Sequence, residues 1–222
     1  MRRMRALSSY YRCAIDEHAF DNIDAQKAWM LGYLWADGSL QLPLRYAGHR
    51  FMIGSIDQWI PQMFKTILKS GHSIHEVQRV HLGPRWHNFF RFEPDGLRYL
   101  GPKLESMGMA RLKPMRTPPT SLPQELVRDF IRGIFDADGY VGKDGTAQAC
   151  ISGHNPMLSW IRNYLDGRIK PASNGAKCFV LWNTTQKGVV DWYNYLYYPG
   201  CICLERKRLK FIEIKDRYIS KI

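Results

Sequence analysis

Two carboxylates stand where this chain could do chemistry. Asp37 closes the stretch Gly32-Tyr33-Leu34-Trp35-Ala36-Asp37-Gly38, and Asp138 closes Gly133-Ile134-Phe135-Asp136-Ala137-Asp138-Gly139. Each stretch ends an apolar run and carries small residues four apart, Gly32 with Ala36 and Gly133 with Ala137. On a helix that spacing makes one bare face, where a second backbone can approach closely. Two bare faces suit one another. Packed in parallel, the two helices would bring Asp37 and Asp138 side by side at their C-terminal ends, where the helix dipoles and mutual repulsion both oppose negative charge. A divalent cation would relieve both effects. Hard oxygen donors suit magnesium, with manganese or calcium as substitutes, and paired carboxylates holding such ions can clamp the attacking and leaving oxygens of a phosphodiester.

A single Asp-Gly is a turn dipeptide, and it recurs at Asp95-Gly96, Asp144-Gly145 and Asp166-Gly167 without a helical pattern before it. Repetition with matching small residues sets the two copies apart. Gly38 and Gly139 are expected to adopt the left-handed conformation that closes a helix. Phosphodiester cleavage also needs positive charge where the phosphate gains negative charge. Each half supplies a lysine in a comparable place: Lys113 in Gly108-Met109-Ala110-Arg111-Leu112-Lys113, and Lys207 in Leu204-Glu205-Arg206-Lys207-Arg208.

Both aspartate stretches resemble the LAGLIDADG motif of homing endonucleases. The second copy, Ile131 to Gly139, is close; the first, Met30 to Gly38, has Trp35 where the motif usually has its first acid. The resemblance implies that Asp37 and Asp138 bind the catalytic metals, with Gly38 and Gly139 beside them, and that Lys113 and Lys207 stand where an active-site lysine positions or activates water. It covers nearly all of the chain. It implies an α+β fold of two pseudo-symmetric αββαββα halves, joined through the motif helices, whose strands make a β-saddle over DNA. The implied activity is a magnesium-dependent, site-specific endonuclease of double-stranded DNA that leaves a staggered break at a long asymmetric site. The same scaffold also resembles RNA maturases that assist intron splicing and DNA-binding regulators that do not cleave.

The elements around the acids repeat in the same order. Asp24 is placed to cap the first motif helix. Strands follow at Ser39 to Leu42 and His49 to Ile56, then a helix from Asp57 to Ser70, strands at Ile74 to Leu82 and Trp86 to Phe92, and a helix from Leu97 to Met107. The second half repeats this, with a helix over Val127 to Asp138, strands at Tyr140 to Gly142 and Ala147 to Ser152, and a helix over Pro156 to Leu165. Strands near Arg168 to Ala172 and Cys178 to Trp182 come next, and Val189 to Tyr197 is the last helix assigned. Asp37 and Asp138 lie 101 residues apart, so one chain contains two like units. The boundaries read as a basic lead-in over 1–24, a first half over 25–113, a linker over 114–123 with four prolines, and a second half over 124–222.

Outward-alternating strand residues are candidates for base edges and phosphates. They are Arg45, Arg50, His75, Gln78, Arg79, Arg85 and His87 in the first half, and Tyr140, Lys143, Gln148, Lys177 and Asn183 in the second. A slip of one residue would turn each reader inward. Trp29, Trp59, Trp160 and Trp192 fall on helical faces and read as core, whereas Trp86 and Trp182 lie on strands and fit either side. The His-Asn pairs at His87-Asn88 and His154-Asn155 lack the flanking ligands of a ββα-metal nuclease.

Composition agrees with a nucleic-acid partner. The 222 residues carry a formal charge of +12 and a pI of about 9.6, which calls for a polyanion. Five cysteines without a CxxC pair point to neither a disulfide framework nor a zinc site. No run approaches the ~18 apolar residues of a membrane span, and the basic start lacks a signal-peptide core. The expected protein is an intracellular monomer acting in the compartment where it is made, be it cytoplasm or organelle matrix.

Overall fold

The structure, a computed structural model, describes residues 13–41, 48–79, 87–172 and 178–220. Helix α1 (Ala25–Asp37) starts where the Asp24 carboxylate accepts the Lys27 N–H, at 2.8 Å, the expected side-chain cap. Every residue from Ala28 to Ala36 is buried. A helix buried all round needs neighbours on every side, and α4 (Val127–Asp138) is the principal one. The two cross at their small residues: a Cβ on Gly32 would run into the Phe130 carbonyl, and one on Gly133 into that of Trp29. Backbone therefore lies against backbone, as the paired glycines require. Trp29 Nε1 spans the crossing and donates to Asp136 Oδ2 at 2.8 Å.

On either side of this pair the chain builds the same unit. Strands β1 (Ser39–Gln41), β2 (Arg50–Ser55), β3 (Ile74–Val77) and β4 (Phe89–Phe92) form an antiparallel sheet in the order β1-β2-β4-β3. It carries helices α2 (Trp59–Ile67) and α3 (Leu100–Ser106). Strands β5 (Gly139–Val141), β6 (Ala149–Gly153), β7 (Arg168–Pro171) and β8 (Phe179–Asn183) repeat that order as β5-β6-β8-β7, with α5 (Asn155–Ile161) and α6 (Gln186–Leu196). Each sheet turns alternate residues inward. Phe51 and Ile53 of β2 are fully buried, with the Phe51 ring edge-on to both Phe64 and Phe92. Ile151 and Leu181 face one another across β6 and β8 in the second core. The fold is α+β with two αββαββα units, as the sequence implies.

Three details differ from the sequence expectation. A fifteen-residue helix, α7 (Glu205–Ile219), follows the second unit. Its basic run hides a sparse apolar stripe, in which Phe211 and Ile214 are buried and the Phe211 ring packs against Phe135, Tyr193 and Tyr197. Trp59, expected in the core, is 40% exposed: it opens α2 and lays one face on the Trp29 ring, 5.6 Å away. Gly38 and Gly139 have φ of −76° and −85°, extended rather than left-handed. They are needed for room instead, because a Cβ at either would strike the carbonyl of Leu34 or Phe135. No helix among the described residues is long and apolar enough to cross a membrane.

A candidate active site at the paired helix ends

The C-termini of α1 and α4 carry Asp37 and Asp138 to one place. The Asp37 carboxyl is mostly buried and is pushed up to about 6, first by burial and then by the negative charge of Asp138, with which it also shares a hydrogen bond. Lys113 and Lys207 pull in the opposite direction. Two carboxyls this close cannot both ionise freely without added positive charge.

The helix ends themselves are neutralised by cations. Lys207 is buried on α7 and its Nζ donates to the carbonyls of Phe135 (2.9 Å), Asp136 (2.7 Å), Ala137 (3.3 Å) and Gly139 (2.6 Å). These are the last carbonyls of α4 and its cap, which have no partner within the helix. Burial draws the Lys207 ammonium down to about 8. Buried Arg116 does the same for α1, donating from Nη1 to the Trp35 carbonyl and from Nη2 to that of Gly38 at 2.9 Å. Burial lowers its guanidinium to about 10.

Arg116, rather than Lys113, is thus the counterpart of Lys207. Both expected lysines lie within electrostatic reach of Asp37, but they differ in setting: the Lys207 ammonium is engaged with carbonyls, while Lys113 is exposed on a 3-10 turn, Lys113–Met115, and lines the cleft beside Asp138. Nothing in the sequence singles out Arg116 from its basic neighbours, because its role depends on carbonyls some 80 residues away.

The same contacts change the expected metal ligands. The Gly38 and Gly139 carbonyls already face a guanidinium and an ammonium, so a cation on those oxygens would be repelled. Among the described residues no cluster of three or more acidic, histidine or cysteine side chains could hold a metal. A cation at the helix ends would meet two carboxylates, Asp37 and Asp138, whose proximity is unfavourable without added positive charge. That fits magnesium, which keeps most of its shell for water and phosphate oxygens and takes only one or two carboxylates from the protein.

Asp136 and Trp35 occupy equivalent positions in the two motifs and tie down the chain that returns past each helix end. Asp136 accepts the Leu204 N–H at 2.9 Å, whereas Trp35 Nε1 donates to the Thr117 carbonyl at 3.0 Å. The missing acid in the first motif is thus replaced by a donor meeting an acceptor. Burial pushes the Asp136 carboxyl up to about 6.

Two clefts flank the acids. One, of about 190 Å³, joins Asp138 and Lys113 to Ser152 and His154. The other, of about 350 Å³, joins Asp37 to Met52, Gly54, Arg79 and Arg206. Ala36 lines the first and Ala137 the second, so these alanines border the clefts while the glycines make the crossing.

Solved structures share this architecture. The LAGLIDADG meganuclease I-AabMI bound to uncleaved DNA matches with a TM-score of 0.57 at 12% identity, over 90% of this chain and 92% of that one. I-SmaMI bound to uncleaveable DNA matches at 0.57 and 13% identity, over 87% and 90%. I-WcaI bound to its DNA recognition sequence matches at 0.53 and 10%, over 83% and 85%. No family model matches the sequence, and no curated protein does.

The chain has the LAGLIDADG homing-endonuclease fold.

In a LAGLIDADG fold the sheet faces turned away from the helices are the open ones, and strand register defines them here. In the first sheet Arg50, Met52 and Gly54 alternate outward from the core residues of β2, and Arg91 and His75 lie in line with Gly54. In the second sheet Tyr140, Cys150, Trp182 and Arg168 form one outward row, with Ser152, Val180 and Lys170 beside it. The open faces run up to the acids, since Gly54 and Ser152 line the two clefts.

Of the expected contact residues, Arg50, His75 and Tyr140 lie on these faces. Arg79 lies over the Phe89 ring at 4.3 Å and lines the Asp37 cleft. Lys143 and His87 are exposed, Gln148 is half-buried, and Gln78 accepts a hydrogen bond from Asn88 at 2.7 Å. Asn183 is a correction. It is 8% exposed, donates to the Asp166 carbonyl and accepts from Thr185, closing the turn into α6. The register is one residue off there, and Trp182 is the outward neighbour, with Lys170 Nζ 3.1 Å above its ring. Arg91, Arg168 and Lys170 were not anticipated; strict alternation from the buried Ile53 and Ile151 would have found them. Arg45, Arg85 and Lys177 lie outside the described residues.

Proposed function

We propose that this chain is a site-specific, magnesium-dependent endonuclease of double-stranded DNA. The observation that carries the reading is the Asp37 and Asp138 pair, charge-frustrated at the ends of two crossing helices and open to clefts that continue onto two sheet faces. Structures of I-SmaMI with cleaved DNA, and with uncleaved DNA in the presence of calcium ions, show what that relative binds.

Asp37 and Asp138 would hold the cation. When bound, it supplies Lewis-acid polarisation of the phosphoryl group and charge for both the attacking and leaving oxygens. Lys113 stands beside Asp138 to offset charge that develops on the phosphate. Arg116 and Lys207 fix the helix ends, so that neither carboxylate can withdraw. Arg50, Arg91, His75, Arg168 and Lys170 hold the duplex backbone and read base edges from the open faces. One chain supplies both acids, so a monomer is sufficient to cut both strands, and its two unlike halves suit a long asymmetric site with a staggered break. Action in the compartment of synthesis is part of the same proposal.

The test is cleavage of a genomic or randomised duplex library by purified protein with magnesium, beside an Asp37→Asn/Asp138→Asn variant and a calcium control. A defined double-strand cut that the variant lacks supports the reading. Retention of a specific duplex or structured RNA without a cut by either protein would make the chain a binder on this fold.

A further inference from the structure

The turn that carries Lys113 into the Asp138 cleft is apolar where a polyanion binder should be polar. Met115 and Leu112 are 65% and 58% exposed, more than any other large apolar side chain among the described residues. Both lie on the turn that carries Lys113, with Arg111 also exposed. The turn is firmly held: the Met115 N–H donates to the Leu112 carbonyl at 2.9 Å, and Arg116 anchors it to the end of α1 and to the Ala110 carbonyl. An apolar pair kept exposed on a held turn, on either side of the Lys113 that lines the cleft with Asp138, needs a partner that is anionic outside and apolar within.

Base steps seen from the minor groove meet that description. Two carboxyls carried to one place by the C-termini of crossing helices can address phosphates of opposite strands only across the narrower groove, which is roughly 6 Å wide against about 12 Å for the major groove. A turn beside those carboxyls therefore faces the minor groove. Large aliphatic side chains there can enter a base step, unstack it and kink the duplex. The equivalent place in the other half is different: the residue before Lys207 is Arg206, engaged with Asp57 at 3.2 Å.

We propose that Leu112 and Met115 form a one-sided minor-groove wedge that unstacks a base step on the Lys113 side of the cleavage centre and positions the scissile phosphates. The proposal rests on the nuclease reading and adds specificity-determining residues to it. Sequence preference at that step would then arise from deformability, with flexible pyrimidine-purine steps favoured.

The test uses the duplex selected by wild-type cleavage, with 2-aminopurine placed in turn at each central position, bound to Asp37→Asn/Asp138→Asn protein. A fluorescence rise at one off-centre step, lost when Leu112→Ala/Met115→Ala is added, is the expected result. In the otherwise wild-type protein, Leu112→Ala/Met115→Ala should slow cleavage of the matched duplex by about tenfold or more, with the rate restored on a duplex mismatched at that step. A flat fluorescence profile, or slowed cleavage that the mismatch does not rescue, overturns the wedge while leaving the nuclease intact. Failure of wild type to cut any duplex overturns both.

Discussion

At the scale of single residues, the two lysines that look alike in sequence should behave in opposite ways. Lys113→Ala removes an exposed side chain, so stability should stay within about 0.5 kcal/mol while cleavage falls by roughly a hundredfold. Lys207→Met strips a buried ammonium from four carbonyls, and unfolding by denaturant should show a loss on the order of 2–4 kcal/mol. The Asp37 carboxyl makes stability depend on pH. Its folded value of about 6 lies above the ordinary 3.8, so between these values the folded chain keeps a proton that the unfolded chain has lost. Stability therefore falls as pH rises through that window, and the deficit is complete above it. Asp37→Asn removes the deficit. Without divalent metal it should exceed wild type by on the order of 1–3 kcal/mol at about pH 8 and converge with it near pH 4. A difference independent of pH would show that the carboxyl is not strained. Asp37 and Asp138 are legible in sequence because their neighbours repeat; Arg116 is not, because its partners are carbonyls distant in the chain.

Among elements, the crossing of α1 and α4 is the most exposed to mutation. Gly32→Ala or Gly133→Ala puts a Cβ against a backbone carbonyl that cannot move aside. Either change should cost about 3 kcal/mol or more, read as a lower melting temperature with cleavage lost in parallel, and an unchanged melt would mean that the helices are farther apart. The motif helices could be bounded from sequence because dense apolar runs end in Asp-Gly; α4 spans the expected Val127 to Asp138. Helix α7 could not be. Its Lys and Arg residues outnumber the few apolar ones that touch the core, so local pattern carries little of its packing. The strand register failed at Asn183 for a different reason: β8 does alternate, with Leu181 and Asn183 on the buried side, but a polar side chain at a strand end reads as outward when its partners, the Asp166 carbonyl and Thr185, are fixed only by the turns on either side.

For the whole molecule, one chain folds two units around a shared helix pair and spends a basic surface on the open sheet faces. Binding to a duplex should weaken steeply with salt, by a factor of about a thousand or more between 50 and 200 mM if six or more phosphates are neutralised. The pseudo-symmetry was visible as a 101-residue repeat, and so was its break at Trp35, opposite Asp136; the pairing of Arg116 with Lys207 at the two helix ends emerges only from three-dimensional contacts. The most direct measurement is strand-resolved cleavage of the selected, end-labelled duplex by wild type, Asp37→Asn and Asp138→Asn, with binding measured in parallel. Wild type should cut both strands with magnesium, and each variant should bind comparably but fail to make the double-strand break. A variant that cuts both strands at the wild-type rate would contradict a two-aspartate centre.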